Sequence, residues 1–219
     1  MPILIPILII AFVLVFGILA YFSNKQRREA LAKFAAGMGM QFIDAPGDVH
    51  DQFFAFDPFG RGSRKSSRNL IQGRWSDLNW RIFDYTHTTG SGKNQSTHRV
   101  SVVSAQLPVR LAKMRIRPEG LFDRLSAAIG FDDLNFESEA FSRRFHVSSD
   151  DRKQAYDIIH PQMIEYLLSL PSHDYQFAGD QFVVATEGRL DAREIQQTMS
   201  AMSGVAQRIP GFVQRERAV

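Results

Sequence analysis

Histidines are the side chains of this sequence most suited to metal binding or proton transfer, and their spacing favours neither. Two imidazoles that share one metal ion usually recur as HxH, HxxxH or HExxH, and none of the six histidines has such a neighbour. His87 and His98 flank a glycine-containing segment, so we expect them to face each other across a hairpin. Such a pair can bind metal or sense pH, although a half-exposed structural pair is the commoner outcome.

The segment between these two histidines has some features of a phosphate-binding loop. A Walker A loop has the pattern G-x-x-x-x-G-K-[ST] and joins a strand to a helix, whose N-terminus then meets the phosphate. Here His87 replaces the first glycine, Asn94 replaces the Ser or Thr, and the pattern that follows is that of a strand. We interpret the segment as a hairpin tip whose glycines adopt positive φ angles.

Acidic side chains form no recognised metal or catalytic pattern either. The turn-rich segment 44–51 contains three aspartates and a histidine but lacks the alternating ligands of an EF-hand loop. Asp84 is the exception, because it lies in an apolar strand pattern where a carboxylate needs a partner. We expect a structural ion pair with an arginine on a neighbouring strand, and the candidates are Arg74, Arg81 and Arg99.

Composition narrows the classes of function. The absence of cysteine excludes disulfides, thiolate metal sites and a cysteine nucleophile. There are 26 basic and 23 acidic residues, so the high isoelectric point reflects a small excess of charge. Such a balance is no sign of nucleic-acid binding, and we expect no nucleic-acid partner. No motif implies a metal or a cofactor, and we predict neither.

The most distinctive stretch is the apolar run at residues 3–22, from Ile3 to Phe22, which contains no charged side chain. At about 1.5 Å per residue it reaches about 30 Å as a helix, the thickness of the hydrocarbon core of a bilayer. It is too long for a signal peptide, and no basic residue precedes it. We predict a permanent single transmembrane helix at residues 1–22, with the lipid bilayer as its partner.

Basic residues follow this stretch and set its orientation. Lys25, Arg27, Arg28 and Lys33 lie just beyond it, so the positive-inside rule places the N-terminus outside and the rest of the chain in the cytoplasm. We therefore predict a single-pass protein of the cell (inner) membrane. A second basic segment, residues 60–69, is predicted to be a flexible loop. Residues predicted to contact anionic lipid or an acidic protein partner come from both segments: Lys25, Arg27, Arg28, Arg61, Arg64, Lys65 and Arg68.

The remaining pattern predicts an α+β fold, an antiparallel sheet of about five to seven strands flanked by helices. A basic helical stalk occupies residues 23–38, a single domain residues 39–213 and a charged tail residues 214–219. Strands are predicted at 70–75, 78–89, 97–107, 113–117, 141–147, 175–177 and 182–185, with a hairpin turn between the last two. Helices are predicted at 27–38, 121–129, 150–170 with a break at Pro161, and 191–208.

Several short motifs together resemble a family of single-span, membrane-anchored bacterial proteins with a domain of unknown function. They are Leu31-Ala32, Phe83-Asp84-Tyr85, Gly90-Ser-Gly-Lys, Thr97, Val102-Val103, Phe145-His-Val147-Ser-Ser-Asp150, Ala155 and Pro161. The resemblance covers most of the chain and implies the same architecture, a single membrane span followed by one domain. It implies no catalytic or ligand-binding residue, because the family has no assigned activity.

Three functions follow as hypotheses. The first is a membrane-tethered, non-enzymatic binding or scaffolding module that faces the cytoplasm. The alternative is a membrane-bound hydrolase or transferase whose site is assembled from Asp84, His87, His98 and Arg99. The third is an assembly subunit that docks through the apolar seam of its last long helix, at Ile195, Met199 and Met202.

Overall fold

The computed structural model describes residues 4–119, 134 and 136–217, and no side chains at positions 4–11, 13 and 16. Its helices are α1 (Leu4–Gly37), α2 (Glu139–Ser142), α3 (Arg152–Ile158), α4 (Pro161–Ser169), α5 (Ala192–Gln207) and α6 (Gly211–Glu216). Its strands are β1 (Gln41–Ile43), β2 (Ser63–Trp75), β3 (Leu78–Thr89), β4 (Ser96–Pro118), β5 (Phe145–Ser149) and β6 (Tyr175–Glu187). Short 3-10 helices cover Val49–Phe53 and Gly92–Asn94. The predicted helix at 121–129 lies outside the described residues.

Six strands form one antiparallel sheet, which confirms the predicted α+β class. Strands β1, β2, β3 and β4 are neighbours in that order. The long strand β4 pairs with β3 through its first half and with β5 through its last residues, while β6 runs along its other edge. A single 23-residue strand therefore organises the second half of the domain.

Two local predictions are wrong because β4 and β6 are longer than their sequence patterns indicate. Residues 113–117 continue β4 instead of forming a separate strand. Residues 175–185 do not turn back at Gly179, since both halves of β6 pair with the same strand β4. Gly179 instead has a positive φ of 60° where the pairing register shifts opposite Leu111, so it marks an irregularity within one strand.

Helix α1 joins the apolar stretch to the domain without a break. It ends at Gly37, as predicted, and Gly39 with a φ of 67° redirects the chain into β1. Leu31 and Ala35 are buried against the sheet, so the second half of α1 belongs to the domain. The stretch predicted to span the membrane begins outside the described residues. Among the described ones, no helix is long and apolar enough to cross a membrane.

Both faces of the sheet are covered, by different kinds of structure. On one face, α1 and α5 pack over a core that includes Ile82 and Val103. On the other face, the segment that contains Val49–Phe53 supplies the aromatic side chains that cover Phe83. Because side chains alternate along a strand, adjacent residues such as Ile82 and Phe83 enter opposite cores.

Helices α3, α4 and α5 match their predicted limits closely, whereas α6 was not predicted and includes the first residues of the predicted charged tail. Pro161 begins α4 and separates it from α3, as its missing N–H and fixed φ dictate. Asp191 caps α5 in a capping box with Glu194. The predicted seam of α5, Ile195, Met199 and Met202, is fully buried in the domain, so it offers no surface to a partner subunit. The assembly-subunit hypothesis therefore loses its basis.

Candidate functional site

A polar cleft lies where α1 reaches the sheet. Its volume is about 470 Å³, and its walls come from α1, from β2, β3 and β4, and from the end of β6. The polar side chains of the wall belong to the following residues: Tyr21, Asn24, Lys25, Arg28, Asp44, Ser66, Arg68, Asn69, Asp84, Thr86, Arg99 and Arg189.

An ion pair fastens α1 to the floor of this cleft. Arg27 donates from Nε to Asp84 Oδ2 at 2.8 Å and from Nη2 to Asp84 Oδ1 at 2.6 Å, a bidentate arrangement. Its Nη1 donates to the carbonyl of Leu190 at 2.8 Å. Asn69 Nδ2 also donates to Asp84 Oδ2, at 2.8 Å. Both side chains of the pair are largely buried, and each oxygen of Asp84 accepts at least one hydrogen bond.

Asp84 therefore forms a structural ion pair, but not with the arginines predicted for it. Arg81 contacts Gln52 on the opposite face of the sheet, because it precedes Asp84 by three positions on a strand. Arg74 lies at an exposed turn and pairs with Asp77. The partner comes from α1 instead, which the sequence places 57 residues away.

Positive charge predominates in the cleft. Five cationic and two carboxylate side chains line it, and each carboxylate already has an arginine partner, Arg27 for Asp84 and Arg28 for Asp44. Arg68 and Arg99 make no side-chain hydrogen bond or ion pair to another residue in the described part of the chain. The cleft therefore holds guanidinium groups whose charge no neighbouring carboxylate neutralises.

Arg189 lies in the same positive environment. Its guanidinium donates to Asn24 Oδ1 at 2.7 Å. Partial burial lowers the pKa of Arg189, and the nearby charges of Arg27 and Arg99 lower it further, against the opposing effect of Asp84. The group is still a cation at neutral pH, because arginine titrates far above that range. An anion in the cleft would relieve this repulsion.

The residues predicted to contact lipid divide into two groups. Lys25, Arg28 and Arg68 line the cleft. The others do not: Arg27 is bound to Asp84, Arg61 to Asp57 at 2.9 Å, Arg64 to Gln95 at 3.5 Å, and Lys65 to the carbonyl of Phe59 at 2.7 Å. The predicted flexible loop 60–69 is wrong for most of its length, because β2 begins at Ser63 and its pairing with β3 directs successive side chains to opposite faces.

Two cleft arginines were absent from the predicted contact set. Arg99 pairs with Thr86 in the β3–β4 register and so shares the face of Asp84. Strand alternation on the predicted hairpin was enough to place it there. Arg189 follows β6 and is brought to the cleft by the pairing of β6 with β4, for which the sequence contains no local signal.

His87 and His98 face each other, as predicted, on the face of the sheet opposite the cleft. They are register partners, their rings stack at 4.9 Å, and the Tyr85 ring stacks on His87 at 5.3 Å. Burial, followed by the nearby His98, lowers the pKa of His87. Its Nδ1 has no hydrogen-bond partner among the described residues. No group of three or more potential metal ligands occurs within the described part of the chain.

The four residues of the predicted hydrolase or transferase site are therefore not brought together. Asp84 and Arg99 line the cleft, whereas His87 and His98 lie on the other side of the same two strands. No acid–base pair is formed across the sheet, since its backbone separates the two sets of side chains.

Comparison with known proteins identifies a fold but no family. No protein-family model matches the chain, and no curated protein matches it. Among solved structures, the chain is similar to the mycobacterial trehalose monomycolate transport factor A, TtfA, with a TM-score of 0.62. The similarity covers 84% of this chain and 96% of the other at 12% sequence identity. At that identity the likeness establishes a shared fold alone.

Proposed function

We propose that this chain is a single-span membrane protein whose α+β domain is a non-enzymatic binding module facing the cytoplasm. The observation that carries the proposal is the two-part character of α1. Its second half is buried in the domain at Leu31 and Ala35, and its first half extends from the domain with apolar side chains exposed. The rigid continuation of one helix would hold the domain directly against the membrane.

The exposed apolar side chains of α1 are expected to be buried in lipid or against a protein partner. In the part of α1 whose side chains are described, seven large hydrophobic residues are between 53% and 65% exposed: Phe12, Leu14, Val15, Ile18, Leu19, Tyr21 and Phe22. The sequence is apolar at every position from 12 to 22, so the helix is apolar on all sides. Burial of one such side chain is worth about 1.5–3 kcal/mol. An all-round apolar helix suits lipid better than one protein partner, which would cover a single face.

The position of the charges supports the proposed orientation. Basic side chains begin at Lys25, immediately after the exposed apolar part, and the cleft with its arginines lies at the same level. Cationic groups next to the end of a span are retained on the cytoplasmic side. The structurally similar TtfA is described as a trehalose monomycolate transport factor, and we propose a lipid-related role for this chain as well.

The hydrogen bonds that Asp84 accepts favour a binding role over a catalytic one. Asp84 accepts three hydrogen bonds, two from Arg27 and one from Asn69, so its carboxylate is engaged in holding α1 to the sheet. His87 and His98 lie on the opposite face, and the two carboxylates of the cleft are each paired with an arginine, so the remaining charged groups of the cleft are donors suited to binding an anion.

The proposal is tested on the full chain in bacterial membranes. The sequence lacks cysteine, so Gln197→Cys on the exposed side of α5 and Pro2→Cys at the N-terminus are unique labelling sites. We expect the protein to resist alkaline carbonate extraction. We also expect a membrane-impermeant maleimide to label Pro2→Cys in intact spheroplasts and Gln197→Cys only after lysis. Extraction by carbonate, or labelling in the reverse order, would refute the proposal.

A further inference from the structure

We propose that the cleft between α1 and the sheet binds the phosphate group of an anionic membrane phospholipid, with Arg68 and Arg99 as its principal ligands. The inference rests on the proposed membrane tether and names the ligand of the binding module. It is carried by three features of the cleft: unneutralised guanidinium groups, repulsion between neighbouring cations, and the place where the cleft meets the apolar part of α1.

The first feature is the imbalance of charge. Asp44 and Asp84 are each occupied by an arginine of α1, which leaves Arg68 and Arg99 without an acidic partner in the described part of the chain. A guanidinium group has five donors in a planar fork and binds phosphate through paired hydrogen bonds. Arg68 is on β2 and Arg99 is on β4, with β3 between them, and both side chains face the same cleft.

The second feature is repulsion among the cations that surround the empty space. Arg189 has a lowered pKa, for which burial is the main cause and the charges of Arg27 and Arg99 are contributors. Arg27 is fixed in place by Asp84 and by the Leu190 carbonyl, so it is not free to move away. A bound anion would convert this unfavourable arrangement into an attractive one.

The third feature is position, which favours a lipid over a soluble phosphate compound. Tyr21 lines the cleft and is followed by Phe22, and both belong to the exposed apolar part of α1. From Tyr21 to Arg28 the helix rises by about 10 Å, which is comparable to the depth of a headgroup layer. A lipid whose phosphate contacts Arg68 and Arg99 would therefore have its acyl chains alongside the apolar side chains of α1.

The size of the cleft agrees with this ligand. A volume of about 470 Å³ lies in the range of small-ligand sites and accommodates a phosphoglycerol headgroup, while the acyl chains remain outside it. The polar side chains of Ser66, Asn69 and Thr86 provide hydrogen-bonding groups for headgroup hydroxyls at the same wall.

The test compares two double variants of the full chain that lose the same charge. Arg68→Gln with Arg99→Gln removes the two unpartnered cleft arginines. Arg74→Gln with Arg193→Gln removes two exposed arginines that do not line the cleft. Arg68 and Arg99 are exposed and make no side-chain hydrogen bond or ion pair in the described part of the chain, so we expect both variants to keep the thermal unfolding midpoint of the parent protein.

The readout is native mass spectrometry of protein in neutral detergent with equimolar phosphatidylglycerol and phosphatidylcholine. We expect the parent chain and the control variant to retain phosphatidylglycerol preferentially. The cleft variant should lose that preference by about tenfold or more, the effect of removing one charge-assisted contact. An unchanged preference in the cleft variant, or none in the parent chain, would overturn the proposal.

A competition arm separates a lipid from a free phosphate compound. Glycerol 3-phosphate at millimolar concentration should leave most of the phosphatidylglycerol bound, because it lacks the acyl chains. Displacement at concentrations equal to those of the lipid would assign the site to soluble phosphates and contradict the lipid source. Carbonate extraction of the same protein separates the two proposals: extractable protein refutes the membrane tether, whereas an integral protein without lipid preference refutes the cleft assignment alone.

Discussion

The two faces of strand β3 are covered in different ways, although their residues alternate along one chain. Toward the Val49–Phe53 segment, Phe83 and Tyr85 enter a cluster of aromatic rings. Toward α1, Ile82 is buried but the next residue on that face is Asp84, which pairs with Arg27. One face is held mainly by the burial of aromatic rings, and the other changes from apolar packing to ion pairing as it approaches the exposed part of α1.

We infer from this difference that the aromatic face contributes mainly to the stability of the fold and the α1 face mainly to ligand binding. The rings of the aromatic face lie 4.8–6.3 Å from one another, the range of packed aromatic cores. The α1 face contains an open cleft and arginines that no fold contact uses. We therefore expect substitutions on the aromatic face to affect unfolding, and substitutions in the cleft to affect ligand binding.

The largest effect is expected for Phe53→Ala. Phe53 is fully buried and its ring lies 5.4 Å from that of Phe83 and 5.6 Å from that of Phe59. Its truncation should lower the free energy of unfolding by about 3–5 kcal/mol. Phe54→Ala is the matched control, because Phe54 is 68% exposed, and should cost less than about 0.5 kcal/mol. Urea unfolding followed by tryptophan fluorescence measures both, and equal effects would contradict the assigned core.

A smaller effect is expected for Arg27→Met. The substitution leaves the partly buried Asp84 carboxylate with Asn69 alone and should cost about 2–4 kcal/mol in the same unfolding experiment. Arg28 follows Arg27 on α1 and forms a half-exposed ion pair with Asp44. As the control, Arg28→Met removes this pair and should lower the free energy of unfolding by about 0–1 kcal/mol. If both variants unfolded alike, the Arg27–Asp84 pair would not be the contact that fixes α1.

Adding Asp84→Leu to Arg27→Met tests whether the two side chains of the ion pair are energetically coupled. The second substitution removes the unpaired carboxylate, so the double variant should recover part of the lost free energy of unfolding. With Asp84→Leu measured alone as well, the loss in the double variant minus the losses in the two single variants gives the coupling energy between the two side chains. Additive losses would show that the pair is not coupled.

The smallest effect concerns pH and the aromatic face. Burial lowers the pKa of His87 in the folded state below its value of 6.5 in the unfolded chain. Above pH 6.5 His87 is neutral in both states and does not reduce the free energy of unfolding. As the pH falls from 6.5 toward the folded pKa, the unfolded chain takes up the proton first, and the free energy of unfolding decreases. The charged or titratable groups that act on it are His98, Asp57, Lys65 and Glu187.

His87→Gln should therefore flatten the dependence of the urea midpoint on pH between about 7.5 and 5.5. Burial also lowers the pKa of His173. The pH dependence of the urea midpoint that remains in His87→Gln is therefore assigned to His173. A midpoint that depends on pH to the same extent in the parent chain and in His87→Gln would contradict the buried, neutral state of His87.

Sequence patterns were sufficient for the parts of the fold that depend on local interactions. The α+β class, the end of α1 at Gly37, the break at Pro161 and the position of α5 follow from periodicity, proline geometry and capping. The pairing of His87 with His98 followed from a symmetric hairpin. In each case the determining residues lie within about one element of each other.

The cleft could not be predicted because it depends on contacts between distant parts of the chain. Arg27 was assigned to lipid contact, yet its partner Asp84 lies 57 residues away. The apparent basic loop is part of a strand, and pairing with β3 directs only Arg68 of its four cations into the cleft. Arg189 joins them through the long β4–β6 pairing. Local propensity contains no information about such partners.

The central claim, that the exposed half of α1 lies in the bilayer and holds the cleft at its surface, is tested most directly by a depth profile. Nitroxide labels at Phe12→Cys, Ile18→Cys, Phe22→Cys and Glu29→Cys in the reconstituted full chain are compared for accessibility to oxygen and to a water-soluble nickel chelate. We expect oxygen accessibility to dominate at positions 12 and 18, to decline at 22, and to be replaced by chelate accessibility at 29. Equal chelate accessibility at all four positions would contradict the account.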